Sequence, residues 1–295
     1  MKAKLKDKRL LLTAVFFCAL AAMFLWSTEV KAAGETGDFT VTGGTLGTDY
    51  SYDSTSGVLT VNGGANLTIK NTNPGTATGN RIVVAGNASI TLSGVNIEVS
   101  GGSSSCAFNI QTSASVNLTL SGENTLKNRY GGGLFVPEGA ALTIGGTAGK
   151  DSLTATSGSV GAGIGFGNYD SCGKITITGG SVKATGVMGI GGWGDKGDQT
   201  VEIKGGEVEA NSIGGGSTAV AISGGTVTTS ENISSSGLMT ISSGTVKVGK
   251  NINSGTGTVT ITGGTVTTGE NIGGTGSVTV SGGTVDTHNI TANTL

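Results

Sequence analysis

Two glycine-rich segments near the middle of the chain contain the residue types best suited to binding a ligand. They provide Phe166, Asn168, Tyr169 and Asp170 in residues 164–172, and Trp193, Asp195, Lys196 and Asp198 in residues 190–198. Aromatic rings stack on apolar C–H faces, while amide, ammonium and carboxylate groups hydrogen-bond hydroxyls. This combination predicts a sugar-binding surface, with Phe166, Tyr169, Trp193, Asn168 and Lys196 as the binding candidates. The alternative is that both segments only cover the edges of the fold, with their rings over the core.

The aspartates of these segments are candidates for a metal site. They are Asp170, Asp195 and Asp198. Ca²⁺ takes about six to eight oxygen ligands from carboxylates, carbonyls and water, so calcium is the cofactor that we expect. It would bridge an acidic polysaccharide to an acidic protein. His288 is the only histidine, which excludes a multi-histidine metal site within one chain.

Both segments interrupt a repeat that must position them. The unit is apolar-x-apolar-x-Gly-Gly-x-apolar, and it is clearest in residues 175–182, which read ITITGGSV. Later copies begin at residues 201, 220, 239, 259 and 278, so they are 19, 19, 20 and 19 residues apart. Four earlier copies begin at Leu67, Ile90, Leu118 and Leu142, with longer connections between them.

The alternation within each copy predicts short strands. Apolar residues alternate with Thr, Ser, Glu or Lys, which indicates one buried and one exposed face. Such strands cannot bury that face alone, but stacked copies lie about 4.8 Å apart and align their side chains into a continuous core. Because parallel crossovers are right-handed by strong preference, we predict an all-β fold. It is a right-handed single-stranded parallel β-helix of about ten rungs over residues 67–295, after strands or a cap at residues 33–66.

The repeat also predicts which residues lie above one another. Ile164-Gly165 and Ile190-Gly191 should occupy one position in adjacent rungs, so both glycine-rich segments should leave the same edge. Equivalent asparagines should stack as a side-chain ladder; they are Asn232, Asn251 and Asn271.

Threonines at the outward strand positions should line one face of the β-helix. They are Thr68, Thr91, Thr119, Thr143, Thr176, Thr240, Thr260 and Thr279. A flat threonine file is typical of ice-binding surfaces, but Glu202 and Ala221 interrupt this one. β-Branched residues are common on exposed strands in any case, so the file does not favour ice binding.

The N-terminal 32 residues predict a secretory signal peptide. A basic start (residues 2–9) precedes an apolar run (residues 10–26) and the small-residue ending Val30-Lys31-Ala32. We therefore expect a secreted or cell-surface protein, with no membrane span after cleavage. Residues 33–295 hold 11 of the 17 Lys and Arg and 17 of the 19 Asp and Glu, a net charge of −6. This acidic balance argues against nucleic acid as a partner.

The cysteines that remain after residue 32 are Cys106 and Cys172. Two thiols in a long exported chain do not make a disulfide framework. A disulfide between them and two separate buried thiols are both compatible with the sequence.

Several segments, both within the repeat and between its copies, are similar to one known family. They are residues 37–45 (GDFTVTGGT), 57–61 (GVLTV), 81–84 (RIVV), 90–97 (ITLSGVNI), 106–110 (CAFNI), 118–126 (LTLSGENTL), 136–140 (VPEGA) and 159–165 (SVGAGIG). Together they resemble a bacterial carbohydrate-binding β-helix domain family. This family was formerly a domain of unknown function, and it occurs in secreted and cell-surface proteins of Firmicutes. The resemblance spans about residues 37–290. It implies a non-catalytic module, with a relative that is associated with polygalacturonate-type polysaccharide and bound Ca²⁺.

The chain is not expected to be an enzyme. Glycoside hydrolysis needs two placed carboxyl groups, and the pairs available are Glu207 with Glu209 and Asp195 with Asp198. Neither pair has a histidine or basic partner in a recognisable motif, and the Asn-Thr-Asp, Asp-Asp and Gly-His-Gly signatures of polygalacturonases are absent from the sequence.

The predicted function is therefore that of a secreted, non-catalytic carbohydrate-binding module that recognises polysaccharide. The resemblance implies that this polysaccharide is an acidic, pectin-like polymer and that it binds with calcium. Two alternatives remain. One is a structural or adhesive β-helix rod at the cell surface, with a cell-wall partner or additional modules; the other is a degenerate pectin-active enzyme. The last rung, at His288-Asn289-Ile290, shows no cap in the sequence, so we expect a partner chain or further sequence to complete it.

Overall fold

The computed structural model describes residues 34–102, 105–167, 170–196 and 199–292, which form strands, turns and bends and no helix. The predicted signal peptide, residues 1–32, lies outside the described residues. Among those residues, no helix is long and apolar enough to cross a membrane.

The strands fall into three groups along the chain. The entry segment contains β1 (Gly34–Thr36), β2 (Phe39–Thr42), β3 (Tyr50–Asp53) and β4 (Val58–Val61). The rungs with long connections contain β5 (Asn66–Asn71), β6 (Arg81–Val84), β7 (Ala88–Ser93), β8 (Asn96–Val99), β9 (Phe108–Ile110), β10 (Ser115–Ser121), β11 (Glu123–Asn128), β12 (Leu134–Phe135), β13 (Ala141–Gly145), β14 (Ser152–Ser157), β15 (Ala162–Gly165), β16 (Lys174–Ile177), β17 (Ser181–Thr185) and β18 (Met188–Gly191). The regular rungs contain β19 (Thr200–Ile203), β20 (Glu207–Ala210), β21 (Ile213–Gly214), β22 (Ala219–Ile222), β23 (Thr226–Thr229), β24 (Ile233–Ser234), β25 (Leu238–Ile241), β26 (Thr245–Val248), β27 (Ile252–Asn253), β28 (Thr258–Ile261), β29 (Thr265–Thr268), β30 (Asn271–Gly273), β31 (Val278–Val280), β32 (Thr284–Asp286) and β33 (Asn289–Thr291).

These strands form three sheets. Sheet 1 has the order β1-β2-β5-β7-β10-β13-β16-β19-β22-β25-β28-β31, sheet 2 runs from β8 through β11, β14, β17, β20, β23, β26 and β29 to β32, and sheet 3 has the order β3-β4-β6-β9-β12-β15-β18-β21-β24-β27-β30-β33. From β7 on, the chain passes through sheets 1, 2 and 3 once per rung. The parallel strands of sheet 1, from β5 to β31, mark ten rungs in the described residues. The predicted parallel β-helix of about ten rungs is therefore confirmed, while its right-handedness stays a prediction.

The entry segment differs from the rungs in its pairing. β1 with β2, β2 with β5, and β3 with β4 are antiparallel, whereas β4 already pairs with β6 in parallel. Phe39 on β2 and Tyr50 on β3 are buried. β2 thus covers the edge of β5 and β3 covers the edge of β4 with hydrogen bonds, and both add side chains to the same core.

Inward side chains form columns through the stack. In sheet 1 the register aligns Ile177, Ile203, Ile222, Ile241 and Ile261, and each is at most 1% exposed. Burying one such side chain stabilises the fold by about 1.5–3 kcal/mol. A column of this kind supplies the stability that a four-residue strand lacks by itself.

The regular rungs keep the spacing read from the repeat. Val201, Val220, Met239, Val259 and Val278 are aligned in register. A Gly-Gly pair makes the corner after these strands, except after β25, where Ser243-Gly244 takes its place. Gly225 has φ +77°, and a Cβ there would lie 2.6 Å from the carbonyl oxygen of Gly206 in the rung below. Only glycine suits this position, because it adopts a positive φ without strain and has no Cβ to collide with the neighbouring backbone.

The threonine file is not continuous, which corrects the sequence-based alignment. Thr119 pairs with Gly145, and Thr143 pairs with Asn117, so the two threonines belong to columns two residues apart. A shift of two keeps every side chain on its own face, and an alternating pattern therefore cannot detect it. The turn at Pro137–Ala140, closed by the Ala140 N–H to Pro137 O bond of 3.0 Å, sets where β13 begins.

The predicted asparagine ladder is confirmed. The Asn251 N–H donates to Asn232 Oδ1 at 2.9 Å, and the Asn271 N–H donates to Asn251 Oδ1 at 3.0 Å. Asn289 extends the ladder, because its Nδ2 donates to Asn271 Oδ1 at 3.2 Å. Two of its bonds thus run from backbone N–H to side chain, and two join amide side chains, since Asn251 Nδ2 also donates to Asn232 Oδ1 at 3.4 Å.

Candidate functional site

The two glycine-rich connections leave sheet 3 at matching positions, as predicted. β15 and β18 align Ile164 with Ile190 and Gly165 with Gly191. Both glycines have positive φ, +128° and +125°, and a Cβ at Gly165 would lie 2.1 Å from Gly191 O. A larger residue at Gly165 would collide with the next rung, so the sequence places glycine where each connection turns away from its strand.

The two connections are also bonded to each other. The Gly194 N–H donates to Asp170 O at 2.9 Å, and the Lys196 N–H donates to Ser171 Oγ at 2.9 Å. These bonds hold the described parts of both connections in one arrangement, with the second lying on the first.

A buried glutamine hydrogen-bonds to both connections and holds them together. Gln199 is 2% exposed; its Oε1 accepts from the Cys172 N–H at 3.0 Å, and its Nε2 donates to Gly194 O at 2.5 Å. Thr218 Oγ1 also donates to Gln199 Oε1, at 3.3 Å. Gln199 was not identified from the sequence, since a single glutamine before a strand has no distinguishing pattern.

The stacked connections form one side of an open groove of about 660 Å³. Its lining is Thr112, Pro137, Glu138, Gly139, Phe166, Asp170, Ser171, Gly194, Asp195 and Lys196. Four of the predicted residues thus line one groove: Phe166, Asp170, Asp195 and Lys196. The sequence did not point to Glu138, which reaches the groove from the turn between β12 and β13.

Phe166 belongs to an aromatic pair. Its ring centroid lies 4.4 Å from that of Phe135, with the ring planes tilted by 50°. Phe135 is on the two-residue strand β12, opposite Asn109 and Gly165 in register. Both rings are half-buried, so each is held by the fold while part of its face reaches solvent.

Trp193 and the remaining predicted residues are placed differently. Trp193 is 43% exposed, and it precedes the groove residue Gly194 without being part of the groove lining. Asn168, Tyr169 and Asp198 lie outside the described residues, so their predicted roles stay predictions.

The groove is acidic. It contains three exposed carboxyl groups, from Glu138, Asp170 and Asp195, and one exposed ammonium group, from Lys196. Ser217 Oγ donates to Asp195 Oδ1 at 3.3 Å. In the described part of the chain, no three or more His, Cys, Asp or Glu residues form a group that could hold a metal ion. The predicted calcium site at Asp170, Asp195 and Asp198 stays a prediction.

A smaller hollow of about 280 Å³ adjoins the groove and shares Phe166 and Asp170 with it. It is lined by Cys106, Asn109, Gly131, Gly132, Phe135, Val160, Gly161, Phe166, Gly167 and Asp170. Cys106 is a free thiol, 3% exposed, and burial raises its pKa. The Cys106 thiol is therefore a neutral, apolar part of the wall rather than a nucleophile.

The second cysteine is also a free, buried thiol. Burial raises the pKa of Cys172 to about 12. Neither cysteine has the depressed pKa of a catalytic thiol.

One of the two carboxylate pairs considered for catalysis, Glu207 with Glu209, lies elsewhere, on the outward face of sheet 2. Glu209 forms an ion pair with Lys183 at 2.6 Å, and Glu207 Oε2 accepts from Ser181 Oγ at 2.9 Å. Both carboxylates thus contact the neighbouring strand β17, where they act as surface contacts between rungs.

Compared with known proteins, the sequence matches no protein-family model and no curated protein.

Proposed function

We propose that this chain is a secreted, non-catalytic module that binds polysaccharide in the groove beside β12, β15 and β18. The observation that supports this most is the convergence of a half-exposed aromatic ring, Phe166, with the polar groups of Asp170, Asp195 and Lys196 on one open surface. Aromatic faces with flanking hydrogen-bonding groups suit sugar rings, which present both C–H faces and hydroxyls.

The rigidity of the site supports binding of an extended ligand. The groove residues sit on connections that are bonded to each other and fastened by Gln199. A preformed site loses little conformational entropy on binding. Its volume of about 660 Å³ lies within the usual range of ligand sites, about 300–1,000 Å³, and its open form allows a polymer to continue past it.

The negative charge of the groove affects the binding of neutral and acidic polymers differently. A neutral polysaccharide meets no electrostatic barrier, whereas a polyuronate faces the carboxylates of Glu138, Asp170 and Asp195. Like charges repel, so we propose that an acidic, pectin-like polymer binds only with Ca²⁺ between the two sets of carboxylates. Asp170 and Asp195 are the described residues that would contribute oxygen ligands.

Affinity electrophoresis tests the proposal. The protein runs through gels that contain pectin, xylan or a β-glucan, each with CaCl₂ or with EDTA. We expect at least one polymer to retard the protein, and retardation by pectin to require calcium. Migration unaffected by every polymer in both conditions would refute polysaccharide binding.

The proposed lack of catalysis has its own measurement. The same polymers are incubated with the protein and assayed for new reducing ends and for unsaturated products. No increase over a blank is expected, whereas a steady release of either product would favour the degenerate pectin-active enzyme.

A cell-surface rod is the second candidate, and the asparagine ladder favours it. Regular rungs with hydrogen-bonded side-chain columns form a stiff spacer, which suits an adhesive or structural element with a cell-wall partner. A rod role requires neither the ring of Phe166 nor that of Trp193. Replacing both by Ala should therefore leave cell-wall attachment intact if the rod alone is the function.

A further inference from the structure

The small hollow beside the groove is large enough for one substituent of a bound sugar. Its volume is about 280 Å³, and it opens next to the groove through the shared residues Phe166 and Asp170. Sites for whole ligands begin at about 300 Å³. A hollow at the low end of this range, adjoining the groove, suits a substituent of a sugar whose chain lies in the groove.

The walls of the hollow are mainly apolar. Phe135 and Phe166, whose rings meet at 50° with centroids 4.4 Å apart, form a continuous aromatic part of the lining. Val160 and the neutral thiol of Cys106 complete the apolar lining. Against these walls a hydroxyl or a charged group would lose its hydration without gaining a hydrogen bond, while a methyl group would gain contacts.

Two polar side chains complete the hollow. Asn109, which is half-buried and opposite Phe135 in register, offers an amide that can both donate and accept. Asp170, at the boundary with the groove, offers carboxylate oxygens that accept. A ligand group that fits has a methyl, one N–H donor and one carbonyl acceptor close together.

We propose that the hollow binds the 2-acetamido group of an N-acetylated sugar whose chain lies in the groove. The methyl packs against Phe135, Phe166 and Val160. The acetamido carbonyl accepts from Asn109, and its N–H donates to Asp170. This inference rests on the proposed function, and it makes polymers of N-acetylhexosamines the ligand class.

Three β-1,4-linked hexamers that differ only at carbon 2 provide the test. They are the hexamers of glucose, of N-acetylglucosamine and of glucosamine, titrated into the full-length protein by isothermal calorimetry. One apolar group in a fitted pocket discriminates by about tenfold or more, so we expect the N-acetylglucosamine hexamer to bind at least about tenfold more tightly than the glucose hexamer. Equal affinities for the three, or a preference for glucosamine, would overturn the acetamido site.

A variant pair assigns the preference to the hollow. Asn109→Leu removes the amide at similar size and should lower the preference for the acetylated hexamer about threefold or more, the equivalent of one hydrogen bond. The control, Ser234→Leu, lies in the same outward column of sheet 3 in a regular rung and should leave the preference unchanged. Val160→Glu, at a position 36% exposed, gives the same test if Asn109→Leu does not fold.

The outcomes separate this inference from the proposed function. Retardation by glucan gels with no preference among the hexamers would overturn the acetamido site and leave the groove. No binding of any hexamer, together with no retardation by any polymer, would overturn both. A preference that Ser234→Leu abolishes as fully as Asn109→Leu would also overturn the assignment to the hollow.

Discussion

The rungs before and after residue 200 share three sheets and one core but use their outward residues differently. Before residue 200, the connections from β12, β15 and β18 are long, and they build the groove and the hollow. After residue 200, rungs of 19 or 20 residues direct side chains such as Asn251 to the rungs on either side. Because the inward columns are present in every rung and form one continuous core, the connections are free to differ. The first region is proposed to bind, and the second to extend and stiffen.

The largest expected effect comes from the shared core in the regular rungs. Ile241→Ala should lower the free energy of unfolding by about 2–5 kcal/mol, because Ile241 is 0% exposed and the truncation leaves a cavity. The outward neighbour Thr240→Ala should change it by less than about 0.5 kcal/mol. Denaturant unfolding measures both. If folded Ile241→Ala lost polysaccharide affinity as strongly as a groove variant, the two regions would not be separable in function.

The next effect concerns the buried glutamine of the binding region. Gln199→Leu leaves the Cys172 N–H and Gly194 O without their partner, so we expect a loss of about 1–3 kcal/mol of stability. Polysaccharide affinity should fall with it, since the stacked connections lose their fastening. Gln111→Leu, at an exposed position, is the matched control for both measurements. Undiminished affinity in Gln199→Leu would mean that the groove does not depend on this fastening.

A smaller effect is expected on polysaccharide affinity, from substitutions in the binding region and not in the regular rungs. Phe166→Ala should weaken polysaccharide binding about tenfold, or about 1.4 kcal/mol, through the loss of ring stacking. Leu238→Ala removes a side chain that is 55% exposed in a regular rung and should leave affinity unchanged. Quantitative affinity electrophoresis compares the two. Equal losses would place the ligand outside the groove.

For the asparagine ladder we expect the reverse result, a loss of stability with unchanged binding. Asn251→Ala removes an Oδ1 that accepts from the Asn271 N–H at 3.0 Å, so stability should fall by about 0.5–1.5 kcal/mol without a change in binding. Asn117→Ala, at an exposed position of β10, serves as control and should be close to neutral. A ladder variant as stable as its control would show that the ladder does not stiffen the regular rungs.

The smallest effect lies at the boundary between the regions. Glu202 is paired with Lys204 at 2.9 Å and with Lys174 at 3.2 Å, and the hydrogen bond from Lys204 is the main reason that its pKa is lowered. A carboxyl whose folded pKa is lowered stabilises the protein above its ordinary pKa, near about 4.3, and this contribution is lost as the pH falls through the lowered pKa.

Glu202→Gln should therefore reduce stability at neutral pH by at most about 1 kcal/mol and make the acid-induced loss shallower. Thermal melts at neutral and acidic pH measure this, with the exposed Glu123→Gln as the control. A variant whose melting temperature depends on pH as steeply as that of the unchanged protein would contradict this account of Glu202.

The sequence predicted the regular region more completely than the binding region. Alternation, Gly-Gly corners and a 19-residue spacing are local, so strands, rungs and the ladder from Asn232 could be read directly. The offset between Thr119 and Thr143 could not, because a two-residue shift preserves alternation. Gln199, Glu138 and Phe135 were missed because their partners lie in other rungs. Which residues line the groove depends on how the connections of different rungs stack, and the repeat does not encode that stacking.

Hydrogen exchange with and without a retarding polysaccharide tests most directly the claim that binding belongs to the rungs before residue 200. Bound polymer should slow exchange of backbone amides in residues 134–139, 164–167 and 191–196. The amides of residues 201–292 should exchange at unchanged rates. Slowed exchange confined to the regular rungs, or no change anywhere at saturating polymer, would contradict it.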